Sequence, residues 1–240
     1  MKISAMIFAA GLGSRLFPLT ENKPKALVSV DGVTLLENAI RKISDAGIDH
    51  IVVNVHHFAD AIIDFLQNCR FNVAIEISDE RELLLDTAGG LKNADRFFIN
   101  ADHILLYNVD IQSTIDLQKL IQHHIVQQNF ATLAVRDRQT FRYFLFNSDN
   151  MHLAGWKNHK TGEEKISTPL KEYKSLAFSG IHIVKNDIFP LIPQGKLSFT
   201  PLYLELAKGH PIQGYPHQQD EWMDFGKYEE LRAIFGERIR

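Results

Sequence analysis

An apolar run, Ile3–Ala9, stops just short of two glycines, Gly11 and Gly13, and opens into a segment dense in cations, with Arg15, Lys23 and Lys25. The run is short, has no polar alternation and ends at glycine, so it reads as a strand buried on both faces. Such a strand needs helices over it, and the residues that follow supply them. Thr34–Ala46 sets Leu35, Leu36, Ala39, Ile40 and Ile43 at helical spacing, with Gly47 as the stop. His50–Val55 reads as the second strand, Phe58–Asn68 as the second helix and Asn72–Ile77 as the third strand. Gly89–Arg96 reads as a helix, and Ile104–Val109 as a buried strand ending at Asp110. This β-α-β-α-β alternation predicts an α/β fold with an open, mostly parallel sheet flanked by helices. Ligands on such sheets sit beyond the carboxyl ends of the strands. The cation-rich segment and Asp110 both fall there.

The second half changes character. Ala131–Arg136, Tyr143–Phe146, His152–Trp156 and Leu176–Val184 read as short strands, Thr200–Ala207 and Lys227–Phe235 as helices, and Ile212–Tyr215 as a last strand. No linker rich in Gly, Pro or Ser, no repeat and no low-complexity segment separates the halves. The expectation is one α/β domain over 1–240, with a parallel-sheet half at 1–112 and a small β-rich lobe at 113–240.

A formal net charge of −3 offers no basic field for nucleic acid, so an anionic ligand has to be held by local cations and backbone N–H groups. The one cysteine, Cys69, excludes an internal disulfide and a thiolate metal cluster and reads as a buried or inert thiol. The eleven histidines show no H-x-x-x-H or H-E-x-x-H spacing, and the pairs His56-His57 and His123-His124 are expected at the surface. With no secretory signal and no apolar run near the roughly 20 residues of a membrane helix, a cytoplasmic protein without membrane or nucleic-acid partners is expected.

The segment FAAGLGSRLFPLTENKPKAL, residues 8–27, is neither of two familiar phosphate loops. A G-x-G-x-x-G fingerprint needs glycine where Leu16 stands, and the second strand ends Asn54-Val55-His56 rather than in an acid. No G-x-x-x-x-G-K-[ST] occurs. What remains is physical: Gly11 and Gly13 permit close backbone approach to an anion, Arg15 offers a planar fork, and Lys25 a compact charge. Pro18 and Pro24 stiffen the loop. A plain strand–loop turn with solvated cations is the competing reading.

The segment also resembles the signature of the sugar-1-phosphate nucleotidylyltransferases, [L/F]-A-A-G-x-G-[S/T]-R-L-x-P-L-T-x-x-x-P-K-x-L, at every fixed position. LLDTAGGL (84–91) is similar to the family's base-contacting segment, NVDI (108–111) to its N-x-D metal strand end, FSGI (178–181) to its sugar-lining strand, and WMDFG (222–226) to the segment carrying a second metal aspartate. The resemblance spans the chain and implies the Rossmann-like nucleotide-diphospho-sugar transferase fold. It also implies the reaction of a nucleoside triphosphate with a sugar 1-phosphate to give NDP-sugar and pyrophosphate. By resemblance, Arg15, Lys25, Asp110 and Asp224 are catalytic, and Ala10, Gly11, Gly13, Ser14, Arg15, Lys25, Thr87, Gly89, Gly90 and Asn108 bind the nucleotide. Ser179 and Gly180 line the sugar site, and Asp110 and Asp224 hold Mg²⁺. Each aspartate has a plainer reading as a turn or capping residue, Gly89-Gly90 as the opening of a helix, and Trp222 as packing.

Many members of that family carry a C-terminal left-handed β-helix with a second activity, whereas this sequence ends soon after Asp224, so a compact, single-activity member is expected. The segments look most like those of N-acetylmuramate-1-phosphate uridylyltransferases, so uridylyl transfer to a hexosamine-type 1-phosphate is expected. Guanylyl transfer to mannose or heptose 1-phosphate is the alternative, followed by cytidylyl transfer to phosphocholine. Three departures blur the acceptor: Ala88 within the base segment, Lys227 after D-x-G, and no Glu-Lys-Pro before the sugar strand, where Lys165 and Lys171 are the candidate cations. A non-catalytic nucleotide-sugar-binding regulator should have lost one of the four charged residues, and all four are present.

Overall fold

A computed structural model describes residues 1–226 and 228–239. Lys227, expected to start the last helix, lies outside the described residues. In chain order the elements are β1 (Ile3–Phe8), β2 (Ser29–Val30), β3 (Val33–Thr34), α1 (Leu35–Asp45), β4 (His50–Val55), α2 (Ala59–Asn68), β5 (Ala74–Asp79) and α3 (Asp86–Asn93). They continue with β6 (His103–Asn108), β7 (Ile111–Ser113), α4 (Leu117–Val126), β8 (Ala131–Arg136), β9 (Arg142–Asn147), β10 (Leu153–Asn158) and β11 (Glu163–Ile166). The chain closes with β12 (Tyr173–Lys185), α5 (Phe199–Leu206), β13 (Ile212–Pro216), β14 (Trp222–Asp224) and α6 (Tyr228–Phe235).

One large sheet runs β11-β10-β9-β12-β6-β1-β4-β5, with β8 on the other edge of β12 and β13 beyond it. β6, β1, β4 and β5 are mutually parallel, as the alternation predicts. β1 is buried on both faces: Ala5, Ile7 and Ala9 pack with α1 and α2, while Met6 and Phe8 pack with α3 and α5. α1 starts where the Thr34 hydroxyl accepts the Glu37 N–H at 3.1 Å, an N-cap bond that satisfies one of the helix's orphan donors.

Strand β12 joins the two halves. Its first residues pair antiparallel with β9, its last with β6, and from Ala177 to Val184 it borders β8. The β8 register shifts between Phe178 and His182, and Gly180 sits in that bulge at φ +78°. The β-rich half is therefore an antiparallel continuation of the same sheet. Short strands β7 and β14 form a separate ribbon.

His124 corrects the expectation of surface histidine pairs. It is fully buried, with Nδ1 2.9 Å from Thr132 Oγ1 and Nε2 3.0 Å from His103 Nδ1. It occupies the inward stripe of α4 with Leu117, Leu120 and Ile121. Cys69 is a half-buried free thiol.

Candidate active site

The site begins at the carboxyl end of β1, between β4 and β6. Asn54, near the end of β4, accepts the Ala9 and Ala10 N–H groups on its Oδ1 at 2.7 and 3.3 Å. That side chain satisfies two strand-end donors and sets the path of the loop. Gly13 then turns with φ +66°, and a Cβ there would meet Lys25 Cβ at 3.0 Å and Thr20 Cγ2 at 3.1 Å. Only glycine suits both demands. Thr20 Oγ1 ties back to the Gly13 carbonyl at 3.0 Å, and buried Leu16 anchors the single 3₁₀ turn Ser14–Leu16. Arg15 is left exposed at the mouth, while Lys25 is 8% exposed.

Asp110 follows β6 and forms an ion pair with Lys25. Its carbonyl accepts the Phe225 N–H at 2.8 Å, and Asp224 lies in register with Ile111 across the β7–β14 ribbon. Residues more than a hundred positions apart thus bring two carboxylates to one place. Burial raises the Asp224 pKa above the usual carboxylate range, and the neighbouring Asp110 charge raises it further; Lys25, Arg15 and Arg138 oppose this. Asp224 Oδ1 is buried without a hydrogen-bond partner. A Cβ on Gly226 would lie 2.6 Å from that oxygen and 3.1 Å from an Arg15 nitrogen, so glycine lets all three groups approach.

Arg15, Lys25, Asp110 and Gly226 line a cleft of about 440 Å³, with Asp224 behind Gly226 at its edge. Ala10, Gly11, Gly13, Ser14, Arg15, Lys25, Thr87, Asn108 and Asp110 all line it, as sequence reasoning expects of nucleotide-binding residues. Gly89 and Gly90 sit behind the lining. A Cβ on Gly89 would strike the Gly195 carbonyl at 2.3 Å, and one on Gly90 would lie 2.7 Å from Glu80 Oε1. Ser179 and Gly180 do not line the cleft: Ser179 is fully buried, and a Cβ on Gly180 would lie 2.7 Å from Ile111 and 3.1 Å from Asn108.

Sequence reasoning missed several polar lining residues, among them Asn54, Glu80, Asp86 and Lys196. Glu80 is 3% exposed; its Oε1 accepts from Asn54 Nδ2 at 2.8 Å, while Oε2 is buried without a partner. Burial raises its pKa. For Asn54 the visible signal was a polar residue inside the apolar strand β4; for Glu80, just after the mixed strand β5, there was none.

Ser179, His217 and Asp220 resemble a nucleophilic triad only in composition. His217 Nε2 is 2.7 Å from Ser179 Oγ, yet Ser179 is fully buried and the Asp220 carboxylate is 3.5 Å from Nδ1, too far for a hydrogen bond. The pair braces the bulge, with the Trp222 indole N–H on the Ser179 carbonyl at 2.9 Å.

Chemically, the loop end of the cleft and its edge offer a backbone cradle, the cations Arg15 and Lys25, and the carboxylates Asp110 and Asp224. A polyphosphate and a hard divalent cation fit this donor set, and the orphaned Asp224 oxygen is a ready ligand atom. Among the described residues no cluster of three or more His, Cys, Asp or Glu could hold a metal alone, so phosphate oxygens or water would complete the shell.

The family model for nucleotidyl transferases matches residues 4–238. The chain belongs to the nucleotidyl transferase family. This nucleotidyl transferase is 31% identical to the N-acetylmuramate alpha-1-phosphate uridylyltransferase of Caulobacter vibrioides, over 92% of this chain and 91% of that protein. It is 25% identical to the enzyme of that name from Neisseria meningitidis serogroup B, over 98% and 99%. A solved structure of HddC from Yersinia pseudotuberculosis complexed with GMP-PN shares the fold, with a TM-score of 0.76 at 21% identity over 99% of each chain. The nucleotidyl transferase is thus an enzyme that acts on a sugar 1-phosphate. No helix among its described residues is long and apolar enough to cross a membrane.

Proposed function

We propose that the protein is a Mg²⁺-dependent uridylyltransferase that joins UTP to a hexosamine-type 1-phosphate such as N-acetylmuramate 1-phosphate, releasing pyrophosphate. The observation that carries the transfer chemistry is the convergence of Arg15, Lys25, Asp110 and the orphaned Asp224 oxygen at one loop. An oxygen of the acceptor phosphate forms a bond to the α-phosphorus while the α–β bridging bond breaks, and pyrophosphate leaves with the electron pair. The acceptor is already anionic near neutral pH, since a second phosphate pKa lies near about 6, so no side chain has to take a proton. The work is to align two anions and stabilise the charge that develops.

In this reading the N–H groups at Gly11 and Gly13 hold the triphosphate and Arg15 neutralises the departing pyrophosphate. Lys25, held at the loop by its ion pair with Asp110, serves the α-phosphate. Asp110 and Asp224 would hold Mg²⁺, which when bound supplies Lewis-acid neutralisation of phosphate oxygens. Ser179 and Gly180 border the sugar, and Thr87 the base, with Gly89 and Gly90 shaping the wall behind it.

The two N-acetylmuramate-specific relatives support the uridylyl choice. Glu80 favours guanylyl transfer as a second reading: a buried carboxylate with a free oxygen suits the paired N–H donors of guanine, whereas uracil offers one N–H between two acceptors. Pyrophosphate release with UTP, GTP, CTP and dTTP against a panel of sugar 1-phosphates decides between them. UTP with N-acetylmuramate 1-phosphate should give the highest kcat/KM and require Mg²⁺. GTP as the best donor would establish the second reading, and no turnover with any pair would refute both.

A further inference from the structure

The β-rich half carries two arginines that the nucleotide cleft does not use. Arg136 ends β8 and Arg138 follows, their guanidinium carbons 5.9 and 4.4 Å from the Trp222 ring centroid. Their hydrogen bonds go to backbone: Arg136 Nη1 to the Asp220 carbonyl at 3.1 Å, and Arg138 Nη2 to the Phe178 carbonyl at 3.2 Å. Arg138 Nε is buried with no partner. Trp222 cannot swing away freely, because its N–H is fixed on Ser179. It forms a rigid platform for a planar cation.

The charge balance around this platform is incomplete. Asp224 is the strongest opposite charge acting on Arg138, ahead of Tyr143 and Glu230, and Arg136 repels it. Asp224 is also the carboxylate whose free oxygen suits a divalent cation. Were that charge shared with a divalent cation, Arg138 would lose the strongest opposite charge acting on it, and half-buried cations are costly unless paired. The lysines that sequence reasoning nominated do not fill this place. Lys165 lies on the outermost strand, β11, with Nζ 3.0 Å from Glu163 Oε1, and Lys171 is exposed in the next loop.

We propose that Arg138, backed by Arg136 and seated on Trp222, is the receptor for the anionic group of the acceptor sugar phosphate. This rests on the nucleotidyl-transfer reading above. The guanidinium stays protonated throughout. It takes no proton from the nucleophile, and offsets the repulsion between acceptor and triphosphate as they align. The anion is the 1-phosphate itself or a carboxylate carried on the sugar, and both present the same oxygen chemistry to a fork.

The test is steady-state kinetics of R138M and R138K against wild type, varying acceptor and nucleotide separately. N-acetylglucosamine 1-phosphate and N-acetylmuramate 1-phosphate are the probes. R138M keeps an apolar stem on Trp222, and its acceptor KM should rise about 10-fold or more while the nucleotide KM stays within about twofold. R138K, which keeps the charge but not the fork, should fall between. An equal rise with both acceptors assigns the phosphate; a rise confined to N-acetylmuramate 1-phosphate assigns the carboxylate. An unchanged acceptor KM in either folded variant, or a matching rise in the nucleotide KM, overturns the inference. A wild-type protein inert with every pair would instead overturn the reading beneath it.

Discussion

Lys25 shows how much one side chain is asked to do. It is nearly buried, held to Asp110, and packed under Gly13 by the shape of the loop. Removing it leaves the half-buried Asp110 carboxylate without its cation and, in the proposed reaction, takes away the charge assigned to the α-phosphate. Lys25→Ala should lower kcat by about 10²-fold or more, as losses of transition-state charge do, with a smaller change in nucleotide KM. An unchanged kcat would remove Lys25 from the catalytic set. Gly89 makes a different demand. A Cβ there meets backbone, the Gly195 carbonyl at 2.3 Å, which has no rotamer to give way. Gly89→Ala should therefore cost about 1–3 kcal/mol in denaturant unfolding, through a shift of α3 against that loop. Arg15 and Lys25 are legible in sequence because the loop that holds them is local and its spacing is exact in type. Asn54, Glu80 and Arg138 are not, because their importance arises from partners 26 to 86 positions away that no local pattern announces.

Among the elements, the parallel core was the easiest to read, since β1, β4 and β6 are continuous apolar runs and α1 keeps a full apolar stripe. α4 escaped because a histidine fills one of its inward positions, disguising the stripe as polar. The β7–β14 ribbon escaped because three-residue strands carry no period. The buried histidines carry their own consequence. Burial holds His124 and His182 at a pKa of about 3 and His217 at about 4. Each binds its proton more readily unfolded, near pH 6.5, than folded, so stability is full above pH 6.5 and falls as the pH drops towards these values. Glu80 and Asp224, raised by burial, act in the opposite sense. His124→Gln should give a melting temperature that declines less between pH 7 and pH 5 than that of wild type. Parallel melting curves for the two proteins would contradict this origin.

At the scale of the whole molecule, the two halves are one sheet stitched by β12, and the proposed catalytic centre lies where they meet. The first half supplies the loop, Lys25 and Asp110; the second supplies Asp224 through a ribbon that closes on the turn after β6. That junction is what turns a nucleotide cleft into a site for transfer. The most direct test is single-turnover pyrophosphate release by Asp224→Asn at saturating Mg²⁺, with nucleotide binding followed by thermal shift. The account predicts a folded protein that still binds nucleotide but releases pyrophosphate about 10²-fold more slowly. Release at the wild-type rate would contradict it, because the second half would then contribute nothing to the chemistry.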